Sequence, residues 1–282
     1  MSENFNSFAI RLASTMGRKD STTTVRHGQN GASMVPRDKQ PALVVEDVMV
    51  ELGGKIILEE VSFTAGPHML VGVLGPNGAG KSTLLNAIAG LLPLKKGTIL
   101  IEGQVVNGAH GQAAYVPQQE RVNWRFPATN WDVVMMGRAR LIGWLRRPGH
   151  KDKEAVRKCL EQVGMWEKRS SLVSELSGGQ KQRVFVARAL AQEANILLLD
   201  EAFSGVDVAS QEDLVAVLKE LRNEGRTILV ATHDVATLSA RFDMAVCLNR
   251  HVCGWGPPDE VTPTLIEELY SAHTSLHRDK DE

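Results

Sequence analysis

Nine consecutive residues, Gly75–Thr83, set three glycines, a lysine and two hydroxyls in an order suited to holding phosphate. Gly75, Gly78 and Gly80 let the backbone curl so that its N–H groups converge, with no Cβ in the way. Pro76, Asn77 and Ala79 complete the loop. The apolar run Met69–Leu74, patterned as a buried strand, precedes it, and the helix-like Leu84–Ala89 follows. Strand, glycine loop and helix N-terminus in that order form an anion site to which the helix dipole adds positive potential. Lys81 then reaches the β- and γ-phosphates, the Ser82 hydroxyl ligates Mg²⁺, and Thr83 closes the loop. The ligand this predicts is a nucleoside triphosphate, ATP, with Mg²⁺.

Such a loop needs carboxylates opposite it. Asp200 and Glu201 end the aliphatic run that starts at Ile196. Asp200 is placed to hold Mg²⁺, directly or through water, and Glu201 to polarise the attacking water. His233 ends another run, Thr227–Thr232, and Gln118 follows Ala113–Val116 and Pro117. A lone histidine is ordinarily structural and a turn glutamine ordinarily just exposed. Ligands, however, collect at the C-terminal ends of parallel strands, where all four residues fall. His233 is therefore assigned to the γ-phosphate, and Gln118 to Mg²⁺ and water.

A second anion-binding element occurs at Leu176–Gln180. Ser177, Gly178, Gly179 and Gln180 precede the helical Lys181–Gln192, which places a hydroxyl and glycine amides at a helix N-terminus. One ATP hardly needs two cradles, unless the second serves the ATP of a partner. The expectation is a head-to-tail homodimer with nucleotide between the chains.

The positioning elements read as an α/β fold. Leu43–Val50 and Ile56–Phe63 are strands about a Gly53-Gly54 turn, and Thr98–Glu102 is a further strand before Gly103. These suggest a small antiparallel sheet beside a mostly parallel core. Apolar residues at 155, 156, 159, 160 and 163 form a helical stripe, so about 131–176 reads as a helical insertion. Gln211–Leu221 is an amphipathic helix ended by Gly225.

With 282 residues, 43% hydrophobic, the chain is long enough for one large α/β domain or two small ones. A net charge of −1 offers no basic field for nucleic acid. No run approaches the roughly 18–20 apolar residues of a membrane span, so a soluble chain is expected. Cys159, Cys247 and Cys253 lack metal-ligand spacing and are expected to be reduced, buried thiols. Residues 1–40, rich in Ser, Thr, Asn and Gly, with six Lys/Arg against three Asp/Glu, read as a disordered extension. Met34 is a candidate translation start. A short helix from Thr262 through Tyr270 and a charged tail are expected within 259–282.

The five elements Gly75–Thr83, Gln118, Leu176–Gln180, Leu197–Glu201 and His233 resemble, in type and order, those of the ATP-binding cassette (ABC) transporter ATPases. The resemblance covers roughly Leu43 to Pro258, within an ATPase domain of 41–258. It implies a P-loop NTPase (RecA-like) core, and a 131–176 region that is the family's helical subdomain. It also implies that Ser177, Gly179 and Gln180 contact ATP on the other subunit. Ser204–Asp207 resembles the loop that crosses the dimer interface, which makes Asp207 a nucleotide-side residue. Two positions depart from the pattern. Leu52 stands where the family carries an adenine-stacking aromatic, and Ala202 stands where it has proline.

Asn123–Pro127, Trp131–Arg138, Gly143–Pro148, Phe203–Asp207 and the late Leu248–Arg250 and Gly256–Pro258 resemble the manganese/zinc/iron-type importers. That resemblance implies a peripheral subunit on the cytoplasmic face of the membrane. It would drive import of a divalent metal, manganese favoured over zinc or iron, through an integral membrane permease, with an extracytoplasmic metal-binding protein acting indirectly. The segment from Gln118 to Arg138 would receive the permease, with Trp124 and Phe126 as apolar anchors. An exporter subunit shares the same engine. A DNA-repair or translation ATPase would need coiled coils or two cassettes, and a small-molecule kinase has no use for Leu176–Gln180.

Overall fold

Aliphatic runs bounded by turn residues set the frame. The computed structural model describes residues 40–109, 111–118, 127–143, 146–235 and 237–263, all within the unit Pro36–Glu282. The readings of 1–39, Trp124, Phe126 and 264–282 lie outside the described residues. The first strands are β1 (Leu43–Leu52), β2 (Lys55–Ala65) and β3 (Leu70–Leu74). Then come β4 (Lys96–Ile101), β5 (Gln104–Val105) and β6 (Ala113–Val116). The last are β7 (Ile196–Asp200), β8 (Thr227–Thr232), β9 (Met244–Asn249) and β10 (His251–Gly256).

Two sheets result. One is antiparallel, in the order β2-β1-β4-β5. Its two tight turns pair Leu52 with Lys55 and Ile101 with Gln104. Residues 53, 54, 102 and 103 all have positive φ. That geometry suits two-residue hairpins whose twist matches the strands, and glycine makes it accessible. The other sheet runs β10-β9-β3-β8-β7-β6 and is parallel from β9 to β6. β10 adds an antiparallel edge.

Every residue of β3, β7 and β8 is buried, as continuous apolar runs covered on both faces require. The two-residue strand period divides them between two cores. Leu197 and Leu199 join the helices on one side, while Ile196 and Leu198 join β1, β2 and the helix after the glycine loop on the other.

The helices are α1 (Lys81–Ile88), α2 (Asn130–Gly137), α3 (Ala139–Ile142), α4 (His150–Gln162), α5 (Gly178–Leu190), α6 (Val208–Asn223) and α7 (Leu238–Arg241). Thr129 caps α2 reciprocally with Asp132. Arg138, at the end of α2, is buried and bonds Asp152 in the first turn of α4 at 3.2 Å. Gly137 is needed there, because a Cβ would lie 2.2 Å from the Arg188 carbonyl of α5.

Two expectations change, and one element is new. The C-terminal helix begins at 258 rather than 262, so Pro263 lies inside its first turns. Of the thiols, Cys159 and Cys247 are buried but Cys253 is half-buried. The hairpin β9–β10, not anticipated as strands, extends the parallel sheet and backs the glycine loop. The backing is direct, since a Cβ on Gly75 would fall 2.0 Å from the Leu248 carbonyl.

Candidate nucleotide-binding site

The phosphate loop is shaped by its glycines. Gly78 and Gly80 hold φ of 82° and 96°, a region L-residues avoid, and a Cβ on Gly80 would meet Leu58 at 2.6 Å. Gly80 is the N-cap of α1, and no side chain caps that terminus. A triphosphate suits such an end, because a helix start leaves donors without intrahelical partners. Lys81 is 5% exposed and donates to the carbonyls of Gly75 at 2.8 Å and Pro76 at 3.0 Å. Burial depresses its pKa, opposed by the charges of Glu201 and Asp200. Two carbonyls thus stand in for the anion that a buried ammonium requires.

Beside it, the Ser82 hydroxyl donates to Asp200 Oδ1 at 2.9 Å, and the Tyr115 hydroxyl donates to Oδ2, also at 2.9 Å. Asn86 donates to the Ser82 carbonyl at 2.7 Å and to the Tyr115 hydroxyl at 3.4 Å. Asp200 is 1% exposed. A carboxylate so buried, paired to a hydroxyl that can turn its lone pairs outward, is a donor set for a hard divalent cation. Ser82 and Asp200 therefore fit Mg²⁺.

Glu201 adopts φ 50°, unusual for a non-glycine residue, at the end of β7. Its Oε2 accepts from Gln118 Nε2 at 2.7 Å and from the Ser204 hydroxyl at 3.1 Å. Gln118, expected to read Mg²⁺ and water, thus lies within reach of the same carboxylate. His233 is exposed and lines an open cleft of about 780 Å³ with Glu201, Ser204 and Thr232.

Ser177–Gln180 and Asp207 find their partners within α5 and α6. Ser177 caps α5, accepting from the Gln180 amide, while the Gln180 side chain accepts from the Ser177 amide, both at 3.3 Å. Gly178 follows at the first position of the helix. A Cβ on Gly179 would lie 2.6 Å from that of Ser210, so this glycine also lets α5 pack on α6. Asp207 caps α6 through the Ser210 amide at 2.9 Å, and that bond lowers its pKa.

Several residues around the site went unnoticed in the sequence: Tyr115, Asn86, Gln211 and Arg241. The bonds of Tyr115 to Asp200 and of Arg241 to Gln211 and Glu212 join positions far apart in the chain and leave no periodic trace. A polar residue at the centre of a strand, as Tyr115 is in the run Ala113–Val116, is the one local signal available.

The ABC transporter family model matches residues 58–204, a span that includes the phosphate loop, Gln118, Ser177–Gln180 and the Asp200–Glu201 pair. The chain belongs to the ABC transporter family. As an ATP-binding subunit of that family, it is an ATPase. Among curated relatives, it is 43% identical to the manganese transport system ATP-binding protein MntB of Halalkalibacterium halodurans, over 86% of this chain and 97% of that one. It is also 43% identical to the zinc transport system ATP-binding protein TroB of Treponema pallidum, over 83% and 88% of the two chains. Among solved structures, an ATP-binding subunit of an ABC transporter superposes with a TM-score of 0.66 at 26% identity, covering 83% of this chain and 99% of that one. A nucleotide-free ATP-binding cassette matches in fold, with a TM-score of 0.72 at 22% identity over 81% and 96%. Among the described residues no helix is long and apolar enough to cross a membrane.

Proposed function

We propose that this subunit hydrolyses Mg²⁺–ATP in a homodimer to drive import of a divalent metal ion, manganese in preference to zinc or iron, through a membrane permease. It would sit at the cytoplasmic face, and an extracytoplasmic metal-binding protein would deliver the ion. The observation that carries the metal is near end-to-end 43% identity to proteins named for manganese and zinc transport. The 131–176 segment is proposed as the helical subdomain within an ATPase domain of 41–258.

The residues divide the work. Lys81 exchanges the carbonyls of Gly75 and Pro76 for the β- and γ-phosphate oxygens, so loop and nucleotide compete for one ammonium. Tyr115 fixes one oxygen of Asp200 and so aims the other at Ser82. Mg²⁺ held by Ser82 and Asp200 would neutralise charge on the phosphates. Gln118 and Ser204 both donate to Oε2 of Glu201, which orients the carboxylate toward an attacking water as general base. His233, at the mouth of the same cleft, donates to the γ-phosphate.

In the dimer, Ser177, Gly179 and Gln180 contact the partner's ATP. The capping box already turns the Ser177 and Gln180 side chains to the helix start where an anion binds. ATP favours the closed dimer because it contacts both chains there, and loss of the γ-phosphate removes that differential.

The test is reconstitution with the candidate permease in vesicles, measuring ATP-driven uptake of manganese, zinc and iron. Manganese accumulation above the others supports the assignment, and ATP-driven flux of an unrelated substrate, or export, overturns it. Trp124→Ala with Phe126→Ala should spare the isolated ATPase yet abolish uptake. Equal loss of both activities would place these aromatics in the core.

A further inference from the structure

Arg241, at the end of α7, is 7% exposed and touches both loops that flank the catalytic cleft. Its Nη2 donates to Glu212 Oε1 at 2.6 Å, and its Nη1 lies 3.8 Å from Asp234 Oδ2 and 3.5 Å from Gln211 Oε1. The guanidinium also stands 5.2 Å from the centre of the Phe203 ring, within cation–π range. Asp234 adjoins His233 and is braced by the Thr237 hydroxyl at 2.8 Å. Gln211 spans the other loop, donating through Nε2 to the carbonyls of Phe203 at 3.1 Å and Val206 at 2.9 Å. One buried cation thus meets the residue beside His233, the ring two positions after Glu201, and the amide that holds the 203–206 backbone.

We propose that Arg241 is a positioning residue that, through Asp234, Gln211 and Phe203, makes the His233 loop and the Phe203–Asp207 loop move as one unit. The two loops carry the contact to the γ-phosphate and the contact to the second subunit. Clamping them together means that engagement of the γ-phosphate sets the interface, and the reverse. This rests on the reading of His233 and Asp207 given above. The clamp does not touch Lys81, Ser82 or Asp200, so it governs turnover and leaves Mg²⁺–ATP affinity alone. Planarity matters as well as charge, because one face serves Phe203 while the edge serves the acids.

The experiment uses the full chain, with equilibrium Mg²⁺–ATP binding and steady-state hydrolysis as readouts. Arg241→Met should lower kcat tenfold or more, with affinity and KM within twofold. Arg241→Lys should recover part of the loss. The side chains of Glu212 and Asp234 are 60% and 39% exposed, so water solvates them once the arginine is gone and the fold survives. Gln211→Met should show the same kcat-only loss, and the double variant should lose no more than the worse single one. In a His233→Ala background Arg241→Met should cost less than threefold, because the loop it positions no longer acts.

Equal factors in both backgrounds, additive losses with Gln211→Met, affinity falling together with kcat, or kcat within twofold of wild type would each overturn the clamp. If His233→Ala alone leaves turnover intact, the role of His233 fails, and the Arg241–Gln211 pair still decides the clamp.

Discussion

Removing one phenolic oxygen tests how the Asp200 carboxylate, the proposed Mg²⁺ ligand, is held. In Tyr115→Phe, Asp200 Oδ2 loses a donor at 2.9 Å while remaining almost wholly buried. A hydrogen bond to a charged group contributes about 1.5–3 kcal/mol, and no solvent reaches this oxygen to replace it. For a chain of this size roughly 1 kcal/mol moves Tm by about 2–4 °C, so the nucleotide-free variant should melt about 3–12 °C lower. The same bond aims the carboxylate. Freed of it, Asp200 can turn away from Ser82, and the Mg²⁺ concentration giving half-maximal hydrolysis should rise about tenfold, equivalent to about 1.4 kcal/mol. The assays are thermal melting without nucleotide and a Mg²⁺ titration of turnover at saturating ATP. A melting point within 1 °C of wild type, with an unchanged Mg²⁺ requirement, would refute the claim that the phenol orients Asp200. A lower melting point with unchanged Mg²⁺ dependence would reduce Tyr115 to a stability role.

Two further outcomes follow from packing and burial. Gly179→Ala forces a Cβ to within 2.6 Å of Ser210 and should destabilise the chain by about 1–3 kcal/mol. Ser210→Gly in the same chain removes the atoms that Cβ meets and should recover most of the lost melting temperature; no recovery would refute the close packing of Gly179 on α6. Burial raises the Cys159 thiol to about 11. The folded state therefore favours the neutral thiol, and its contribution is present below the unfolded value near 9 and lost as pH rises from 9 through 11. That loss amounts to about 2–3 kcal/mol in a urea-unfolding series. At pH 8 an alkylating reagent should label half-buried Cys253 in the native protein and Cys159 only after unfolding; early labelling of Cys159 would contradict its burial.

The phosphate loop and the strands β3, β7 and β8 were legible because each is a local pattern. A glycine spacing and an unbroken aliphatic run carry their meaning within ten residues. Turn chemistry also read well, since Gly53–Gly54 closes the β1–β2 hairpin with both residues at positive φ. The β9–β10 hairpin escaped notice because its turn carries Asn249-Arg250, with Arg250 at φ 64°, where glycine would have announced a reversal. That turn matters to the site. Arg250 donates its amide to the Ala79 carbonyl at 2.9 Å and a side-chain nitrogen to the Ile56 carbonyl at 2.8 Å, tying the phosphate loop to β2. α4 begins at His150, where the Asp152 carboxylate accepts from the Gly149 amide and so caps the helix start.

The candidate acids and bases were identified one by one, but not their mutual arrangement. The Gln118–Glu201 bond spans 83 residues of sequence and the Tyr115–Asp200 bond 85, and only tertiary packing of β6 against β7 brings them together. The strand-end position of Gln118 says where it lies, and only the fold shows that it touches Glu201. Gly179 was read as a nucleotide contact alone for the same reason, since its close approach to Ser210 depends on how α5 meets α6.

Whether nucleotide is sandwiched between two chains can be measured directly by light scattering on Glu201→Gln. The substituted amide oxygen can still accept from Gln118 and Ser204, so the fold and ATP binding persist while the general base is lost. That removes a contribution of about 10²–10⁴ to the rate. With saturating ATP and Mg²⁺ the variant should shift from monomer to a dimer holding two ATP, and revert when nucleotide is withdrawn. A variant that binds ATP yet stays monomeric at every protein concentration, alone and with its permease, would contradict the account.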